Sequence, residues 1–321
     1  MSSVAYDSSY VTKRPLKLWF TDFWPHFDLT GNVLVRLLRE QYEVQFSRRH
    51  PDLIFYSVFG RQHRQYTCPR VFYTGENQRP DWSMCDFAIS FDVSDHPRHY
   101  RFPLYAFDYG DVHELLYRPE PPEAVLRAKT KFCCCVVSNP QGEERNRFFH
   151  QLSRYKRVDS GGRWHNNVHG VVKDKSTFIK DYKFVLAFEN ASYPGYTTEK
   201  IFQPMQVRSL PVYWGNPLVH LDFNPRSFIN CHDFVNFEAA IEHIIAVDRD
   251  DALYLQYTRE PYFTDNMVNA YADPANLQAF LCDIVEELPR LSLRTRVPRR
   301  ATGWRSLPGY ALARIRLCAV R

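Results

Sequence analysis

The sequence of 321 residues contains no long hydrophobic run. A helix that crosses a membrane needs about 18 or more consecutive apolar residues, and no window of this sequence approaches that length. The N-terminal stretch MSSVAYDSSYVTKRPLKLWF also lacks the apolar segment of a secretory signal peptide. From both absences we expect the protein to stay in the cytoplasm.

The sequence also lacks a cysteine pattern typical of disulfides or zinc sites. It has eight cysteines, and Cys133, Cys134 and Cys135 are adjacent within an apolar run. On a strand their side chains alternate in direction, so neighbours cannot bridge easily. No CxxC pair and no Cys/His spacing suggests a zinc site. We therefore expect reduced, buried thiols, as in a cytosolic protein.

Acidic residues are missing from the C-terminal segment. From Arg290 to the C-terminus there are nine arginines and no Asp or Glu, while the rest of the chain has fewer basic than acidic residues. A nucleic-acid-binding protein carries its basic patch on the folded body, so this distribution argues against that class. The apolar residues among the arginines suit a helix on an anionic membrane surface. A solvated tail fits the same composition equally well.

The first half of the chain alternates between strand and helix patterns. Short apolar segments predict strands at Leu16–Phe20, Leu53–Phe59, Arg70–Thr74 and Phe87–Phe91. A helical pattern at Val33–Arg39 separates the first two. Strands separated by helices predict a parallel sheet covered on both faces.

A second series of the same kind begins after the proline-rich segment Arg118–Ala128, whose first half we interpret as a connection. Its predicted elements are strands at Lys131–Ser138, Lys156–Val158, Phe184–Phe188, Leu210–Trp214 and Phe228–Cys231, with helices at Glu143–Ser153, from about Thr198, and at Phe237–Ala246. The pattern predicts an α/β protein with two Rossmann-like domains, residues 1–128 and 129–289, followed by a basic amphipathic tail, residues 290–321.

The segment from Phe184 to Lys200 has the features of an anion site. A buried strand, FVLAF, ends at Glu189-Asn190, and a polar turn leads into the helix that starts near Thr198. In open α/β sheets ligands bind beyond the carboxyl ends of the strands, where free N–H groups and the helix dipole favour an anion. Lys200 can add positive charge against a diphosphate. An ordinary capped helix with a surface lysine is the alternative.

The residues around this segment resemble a known family. The block YKFVLAFENASYPGYTTEKIFQPMQVRSLPVYWGNP resembles the signature of the α1,3/4-fucosyltransferases, glycosyltransferase family ten. The upstream block RVFYTGENQRP with DFAISFD, and the downstream DFNPRSFINCHDFVNFEAAI, also match the family in order. The resemblance extends from about Leu16 to Leu288 and leaves only the tail outside.

The resemblance implies a GT-B type fold, in which two Rossmann-like domains face each other across a central cleft. The first domain would bind the acceptor, and the second would bind GDP-fucose, the donor substrate. The family inverts the anomeric carbon and needs no catalytic metal or other cofactor, and this sequence has no compact Asp-x-Asp motif between apolar strands. The implied activity is an α1,3-fucosyltransferase that modifies a glycan containing N-acetylglucosamine.

On the acceptor side, Glu76 in YTGEN matches the general base of the family. Such a reaction needs a base beside the acceptor hydroxyl, and Asn77 would orient it. Phe23 and Trp24 follow the first predicted strand, where they would stack on the acceptor sugar or pack in the core.

On the donor side, Lys200 matches the diphosphate-binding lysine of the family. The other residues that the resemblance implies near the ribose, fucose or guanosine are Asn190, Tyr196, Glu199, Ser138, Asn139 and Arg145. A second cation is expected in the stretch VDSGGRWHNN, where Arg163 occupies the position used in the animal enzymes. In some bacterial relatives the arginine stands where this chain has His165, so both residues stay candidates.

Three alternatives remain at this point. The first keeps the enzyme class but changes the bond, and includes an α1,4 linkage, an acceptor with glucose at the reducing end, or another donor. The second is a glycan- or membrane-binding protein without catalysis, and the third is nucleic-acid binding through the arginine-rich tail. With a lipopolysaccharide or capsule acceptor, the expected location is the cytoplasm, with peripheral contact at the inner face of a bacterial cell membrane.

Overall fold

The computed structural model describes residues 13–108 and 110–294. The first half forms a parallel sheet of six strands in the order β2-β1-β3-β4-β5-β6. These strands are β1 (Arg14–Thr21), β2 (Tyr42–Phe46), β3 (Leu53–Tyr56), β4 (Arg70–Tyr73), β5 (Phe87–Ser90) and β6 (His99–Arg101). Helix α1 (Val33–Gln41) connects β1 to β2, and the short helix α2 (Tyr105–Asp108) follows β6.

Local sequence accounts for α1. The side chain of Asn32, which is fully buried, accepts a hydrogen bond from the backbone N–H of Val35 and so caps the helix. Five apolar residues of the helix are buried against the sheet, and Arg39 lies in the last turn, where the helix dipole favours a cation.

The second half forms a parallel sheet of five strands in the order β11-β10-β9-β7-β8. These strands are β7 (Lys131–Cys135), β8 (Val158–Ser160), β9 (Tyr182–Phe188), β10 (Leu210–Trp214) and β11 (Ile229–Asn230). Its helices are α3 (Pro122–Ala128), α4 (Glu143–Leu152), α5 (Lys175–Ile179), α6 (Glu199–Gln206), α7 (Phe237–Arg249) and α8 (Asp251–Arg259). A long helix, α9 (Pro274–Arg294), ends the described chain.

The two sheets share one topology. In each sheet the second strand lies outside the first, and the third lies on the other side, so the order reverses between β1 and β3 and again between β7 and β9. Ligands of open α/β sheets bind at such a reversal, beyond the carboxyl ends of the strands. The predicted α/β fold with two Rossmann-like sheets is confirmed.

Helix α9 packs with the first sheet, although the predicted division placed most of its residues in the second domain, 129–289. The apolar face of α9, which includes Leu277, Leu281, Ile284 and Leu288, packs in the core of the first sheet beside α1. Periodicity predicts that a helix has a buried face, but it does not identify the sheet that covers that face.

The set of predicted elements was incomplete: helices α2, α5, α8 and α9 were not predicted, and the strand predicted at Lys156–Val158 forms instead at Val158–Ser160. Strands β2 and β6 were not predicted, since β2 alternates with polar residues at the sheet edge and β6 has only three residues. Helix α3 forms in the second half of the proline-rich segment Arg118–Ala128. No helix in the described ranges is both long and apolar enough to span a membrane. The predicted membrane contact of the tail rests mainly on residues 295–321, which lie outside the described residues.

Candidate active site

The second sheet buries a carboxylate at the end of β9. Glu189 is fully buried, and its Oε1 accepts hydrogen bonds from the backbone N–H (2.7 Å) and hydroxyl (2.9 Å) of Thr198. Thr198 caps α6, because its own hydroxyl accepts from the backbone N–H of Lys200. Lys200 then donates from Nζ to Glu189 Oε2 over 2.9 Å. The strand end, the helix cap and the lysine therefore form one hydrogen-bonded unit.

This unit holds Lys200 as a cation. Burial works to lower the pKa of Lys200, but the charges of Glu189 and Glu199 outweigh it and raise that pKa. An ammonium group has three donors. The described contacts of Lys200 Nζ are with Glu189 and, at 3.4 Å, with the Thr198 hydroxyl. One N–H is thus left for a ligand at the start of α6, where the helix dipole also favours an anion.

Tyr196 lies where the two halves of the molecule meet. Its buried ring packs edge-on against Phe91 of the first half, with 4.9 Å between centroids. Burial raises the pKa of Tyr196, and so do the nearby carboxylates, which include Glu189 and Glu76. The charge of Glu76 therefore acts on a residue of the loop between β9 and α6, residues 189–198, which we call the donor-side loop.

Glu76 follows β4, at the carboxyl end of the first sheet. Its backbone N–H donates to the Thr74 hydroxyl over 3.0 Å, which holds the turn. The residue is exposed, and none of the described side chains or backbone groups donates a hydrogen bond to its carboxylate. Glu76 is thus free to accept a proton from an incoming group.

Asn77 contacts a different partner from the one predicted. Its Oδ1 accepts a hydrogen bond from Arg79 over 2.8 Å. Arg79 also pairs with Asp92 and stacks on the ring of Tyr193, whose centroid is 3.3 Å from the guanidinium carbon. The loop with Glu76 is thereby bound to the loop that precedes Tyr196.

Asn190 and Glu199 border the same space. Asn190 is exposed at the end of β9, and Glu199 is partly buried in the first turn of α6. Their side chains make no hydrogen bond with the described residues. Both are therefore available to ligand hydroxyls.

Lys175 was not predicted from the sequence. It opens α5, which packs against α6. Burial lowers the pKa of Lys175. The carboxylate of Glu199 works to raise that pKa and the ammonium of Lys200 to lower it, so both groups act electrostatically on Lys175. No hydrogen bond or ion pair ties Lys175 to the described residues. It is a second basic residue on a helix that packs against α6, and no sequence pattern shows that these two helices meet.

The loop after β7 holds Ser138 and Asn139 at the surface. Arg145 on α4 is buried, donates to the Asn139 carbonyl over 2.6 Å and lies over the ring of Trp164. Arg145 therefore holds the backbone of this loop from the protein interior. Its Nη1 is buried and has no hydrogen-bond partner among the described residues.

Arg163 and His165 differ in their surroundings. Gly162 brings the loop after β8 against the loop after β7, since an added Cβ would lie 1.9 Å from the Val137 carbonyl oxygen. Arg163 is exposed, and its backbone N–H donates to the Ser138 hydroxyl over 3.4 Å. The ring of His165 packs on the last turn of α4, 5.1 Å from Phe149. Arg163 thus lies against the loop after β7, which holds the predicted donor residues Ser138 and Asn139.

Phe23 and Trp24 belong to an aromatic cluster at the carboxyl end of the first sheet. Phe23 stacks on Phe27 and Tyr73, and Trp24 also contacts Tyr73, so both pack against the core while keeping an exposed part. Phe59, which was not predicted, is 49% exposed and meets the Trp24 ring edge-on at 6.2 Å. These rings flank the strand that leads to Glu76.

A pocket of about 510 Å³ opens at the carboxyl end of β10, and the residues that line it do not include the predicted donor residues. Its lining includes Trp214 and His232, whose rings stack 5.9 Å apart, and Arg147 of α4. His232 also hydrogen-bonds the backbone of Gly215. The pocket therefore adjoins the end of β10, the strand next to β9.

Comparisons with known proteins agree with these observations. Residues 18–108 match the family described as Alpha-(1,3)-fucosyltransferase FucT N-terminal domain. Residues 126–304 match Glycosyltransferase family 10 (fucosyltransferase) C-term.

Two relatives illustrate the similarity. The chain is 32% identical over 289 residues to the Alpha-(1,3)-fucosyltransferase FucT of Helicobacter pylori, an alignment that covers 77% of this chain and 60% of that protein. It is 34% identical over 146 residues to the 3-galactosyl-N-acetylglucosaminide 4-alpha-L-fucosyltransferase FUT3 of Bos taurus, which covers 44% of this chain and 40% of that protein. The chain thus spans 60% or less of the length of these relatives.

Solved structures are similar over a larger share. One alpha1,3-fucosyltransferase crystal structure superimposes with a TM-score of 0.75 at 30% identity, covering 89% of this chain and 93% of the other. A structure of an alpha1,3-fucosyltransferase with GDP-fucose gives a TM-score of 0.72 at 30% identity, covering 89% and 94%. The similarity confirms the predicted GT-B type fold. Because the C-terminal family match alone spans more than half of the sequence, the chain belongs to glycosyltransferase family 10, the fucosyltransferases.

Proposed function

We propose that this protein transfers fucose from GDP-fucose to a hydroxyl of a glycan that contains N-acetylglucosamine, with inversion at the anomeric carbon. The observation that carries the proposal is the junction of two loops. The loop with Glu76 contacts the loop before Tyr196 through Arg79 and Tyr193. The hydrogen-bonded unit of Glu189, Thr198 and Lys200 joins the two ends of that second loop.

In this proposal the donor binds beyond the carboxyl ends of β7 and β9. Lys200 and the start of α6 hold the diphosphate, with Lys175 as a further cation, while Asn190 and Glu199 bind hydroxyl groups. The stacked rings of Trp214 and His232 suit a flat base in the adjoining pocket. These charges are most useful when the diphosphate leaves, since negative charge then develops on its oxygens.

Glu76 acts as the general base in a single displacement. Its carboxylate takes the proton of the acceptor hydroxyl while that oxygen attacks C1 of fucose from the side opposite the diphosphate. The bond from C1 to the diphosphate oxygen breaks, and GDP leaves. Because Lys200 stabilises the leaving group in this scheme, the proposed reaction requires no metal.

The test is to incubate the pure protein with GDP-fucose and N-acetyllactosamine and to follow GDP release and product mass. Turnover that continues in excess EDTA is expected. Absence of product with every acceptor containing N-acetylglucosamine would refute the proposed substrate class.

We propose an α1,3 linkage, which is also the linkage in the printed name of the Helicobacter pylori relative. The name of the bovine relative specifies a 4-linked product, and this favours the α1,4 linkage as a second candidate. Linkage analysis of the purified product distinguishes the two. A pure glycan-binding protein is disfavoured, since binding alone needs no free carboxylate at Glu76.

A further inference from the structure

A buried ion pair links the two halves of the molecule. Arg101, at the end of β6, is 5% exposed and donates to both carboxylate oxygens of Asp222, over 2.7 and 2.8 Å. Asp222 belongs to the second half and follows β10. A paired fork of this kind fixes both the distance and the orientation of the two groups.

The same guanidinium also contacts the loop on the donor side. Arg101 donates from Nη2 to the carbonyl of Gly195 over 3.1 Å and from Nε to the carbonyl of Phe91 over 3.1 Å. Gly195 has a φ of +86°, and an added Cβ would lie 2.4 Å from the Phe91 carbonyl oxygen. No residue with a side chain would fit there, so the donor-side loop touches the backbone of the first half.

Asp222 holds the following residue of that loop. The hydroxyl of Thr197 donates to Asp222 Oδ2 over 2.6 Å, and the amide of Asn216 donates to Thr197 and Asp222. The Asn216 side-chain oxygen accepts from the backbone N–H of Gly195 over 2.7 Å. Gly195 and Thr197 are therefore both fixed by buried hydrogen bonds, and Tyr196 lies between them.

Stability alone does not account for this network. Burial of an ion pair costs desolvation energy that its attraction barely recovers, and well-packed apolar residues are often as stabilising. What the network provides is geometry, because each of its hydrogen bonds restricts the loop to one conformation. The next residue, Thr198, caps α6 and binds the carboxylate that pairs with Lys200.

We propose that Arg101 and Asp222 are positioning residues of the donor site, through which the first domain sets the conformation of residues 195–198. This inference rests on the proposed function, because it assumes that Tyr196 and Lys200 bind GDP-fucose. It predicts that the second domain cannot bind the donor with full affinity unless Arg101 holds its loop.

The test compares Arg101→Lys and Thr197→Val with the wild type. Lysine keeps the charge but cannot form the fork, and valine removes one hydroxyl while keeping the shape of the side chain. We expect each change to raise the Kd of GDP, measured by titration calorimetry, about tenfold, and to raise the KM for GDP-fucose similarly. The KM for the acceptor should stay within about twofold of the wild type.

Arg98→Lys is the matched control. Arg98 lies three residues before Arg101 and pairs with Glu287 of α9 over 3.3 Å, with 14% of its side chain exposed, and it does not contact the donor-side loop. This variant should lose some thermal stability and bind GDP as the wild type does. The double variant Arg101→Lys/Thr197→Val should weaken GDP binding by less than the product of the single effects, since both act on one loop.

A purely structural network would give a different result. Arg101→Lys and Thr197→Val would then lower the melting temperature, while the folded protein, counted by calorimetric stoichiometry, would bind GDP with unchanged Kd. That outcome overturns the proposal, and Thr197→Val decides the question if Arg101→Lys does not fold. Failure of the proposed function is separate, since the wild type itself would then bind no GDP and release none from GDP-fucose.

Discussion

The two sheets have the same strand order, but their carboxyl ends carry different chemistry. At the second sheet, Glu189 is buried and Lys200 is partly buried, and their charges are paired and hydrogen-bonded to a helix cap. At the first sheet, the carboxylate of Glu76 is exposed and carries no hydrogen bond from the described residues, and an aromatic cluster flanks the strand that leads to it.

This difference matches two chemical tasks. A site for a diphosphate works best with charges that are permanent and already in place, since they need not reorganise when the leaving group forms. A general base must exchange its proton, so it cannot be locked in a buried ion pair. One fold used twice thus provides a binding half and a reactive half.

The strongest test of the reactive half is Glu76→Gln. Glutamine has the same shape but cannot accept the proton, so kcat should fall by about 10²–10⁴-fold. The Kd of GDP should stay unchanged, because the charges of the second half remain. Steady-state kinetics and calorimetry measure the two quantities, and an equal loss in both would contradict the division of tasks.

The binding half is tested with Lys200→Met. GDP affinity should fall by about 100-fold or more, and Glu189 would become a buried carboxylate without its cation, which costs about 3 kcal/mol of unfolding free energy. The double variant Lys200→Met/Glu189→Gln removes that buried charge. It should recover stability in urea denaturation without recovering GDP binding, and joint recovery would refute a direct role of Lys200.

The first half also contains a partly buried ionisable group, His99, that is neutral. Burial lowers the pKa of His99 to about 4, with smaller contributions from His96 and Arg101, and its Nε2 lies 2.9 Å from the Ser90 hydroxyl. The unfolded chain gains this proton near pH 6.5 and the folded protein only near pH 4. The contribution of His99 to stability is therefore full above pH 6.5 and is lost as the pH falls to about 4.

We expect this loss to amount to up to about 3 kcal/mol of unfolding free energy. His99→Gln should flatten the decline between pH 6.5 and 4 in urea denaturation. The same change at the exposed His50 should leave the wild-type decline intact. Parallel curves for the wild type and His99→Gln would rule out a neutral His99 as the cause.

A smaller effect is expected at Lys175. If it supplies a second cation to the diphosphate, Lys175→Met should weaken GDP binding about tenfold, equivalent to about 1.4 kcal/mol. Lys173→Met is the control, because Lys173 is exposed two residues earlier in the chain. Equal binding by both variants would leave Lys200 as the main cation of this half.

The smallest effect is expected at Phe59. Covering the exposed part of its ring with a sugar face would contribute about 1 kcal/mol, so Phe59→Ala should raise the acceptor KM about fivefold and leave the donor KM unchanged. Tyr117→Ala, at another exposed aromatic residue, should change neither. A rise in the donor KM instead would mean that the aromatic cluster does not belong to the acceptor side.

Much of the site followed from local patterns. The helix predicted from about Thr198 begins at Glu199 with Thr198 as its cap, and Glu76 lies just beyond a strand, as predicted. Such features depend on propensities and capping within a few residues. The role of Glu189 as the buried partner of Lys200 was missed, although its position at the end of an apolar strand was a signal.

The remaining features depend on contacts between distant residues. Arg101 and Asp222 are 121 positions apart, and α9 packs on a sheet that ends more than 170 residues before it. No periodicity in the sequence identifies such partners.

The sequence by itself determined the two series of strands and helices and the chemical character of each strand end, because short-range forces act within each element. Only the tertiary structure decided which loops meet, which charges are paired and which carboxylate is left free. The physical reason is that these outcomes depend on how the two sheets pack together, and that packing is a property of the whole chain.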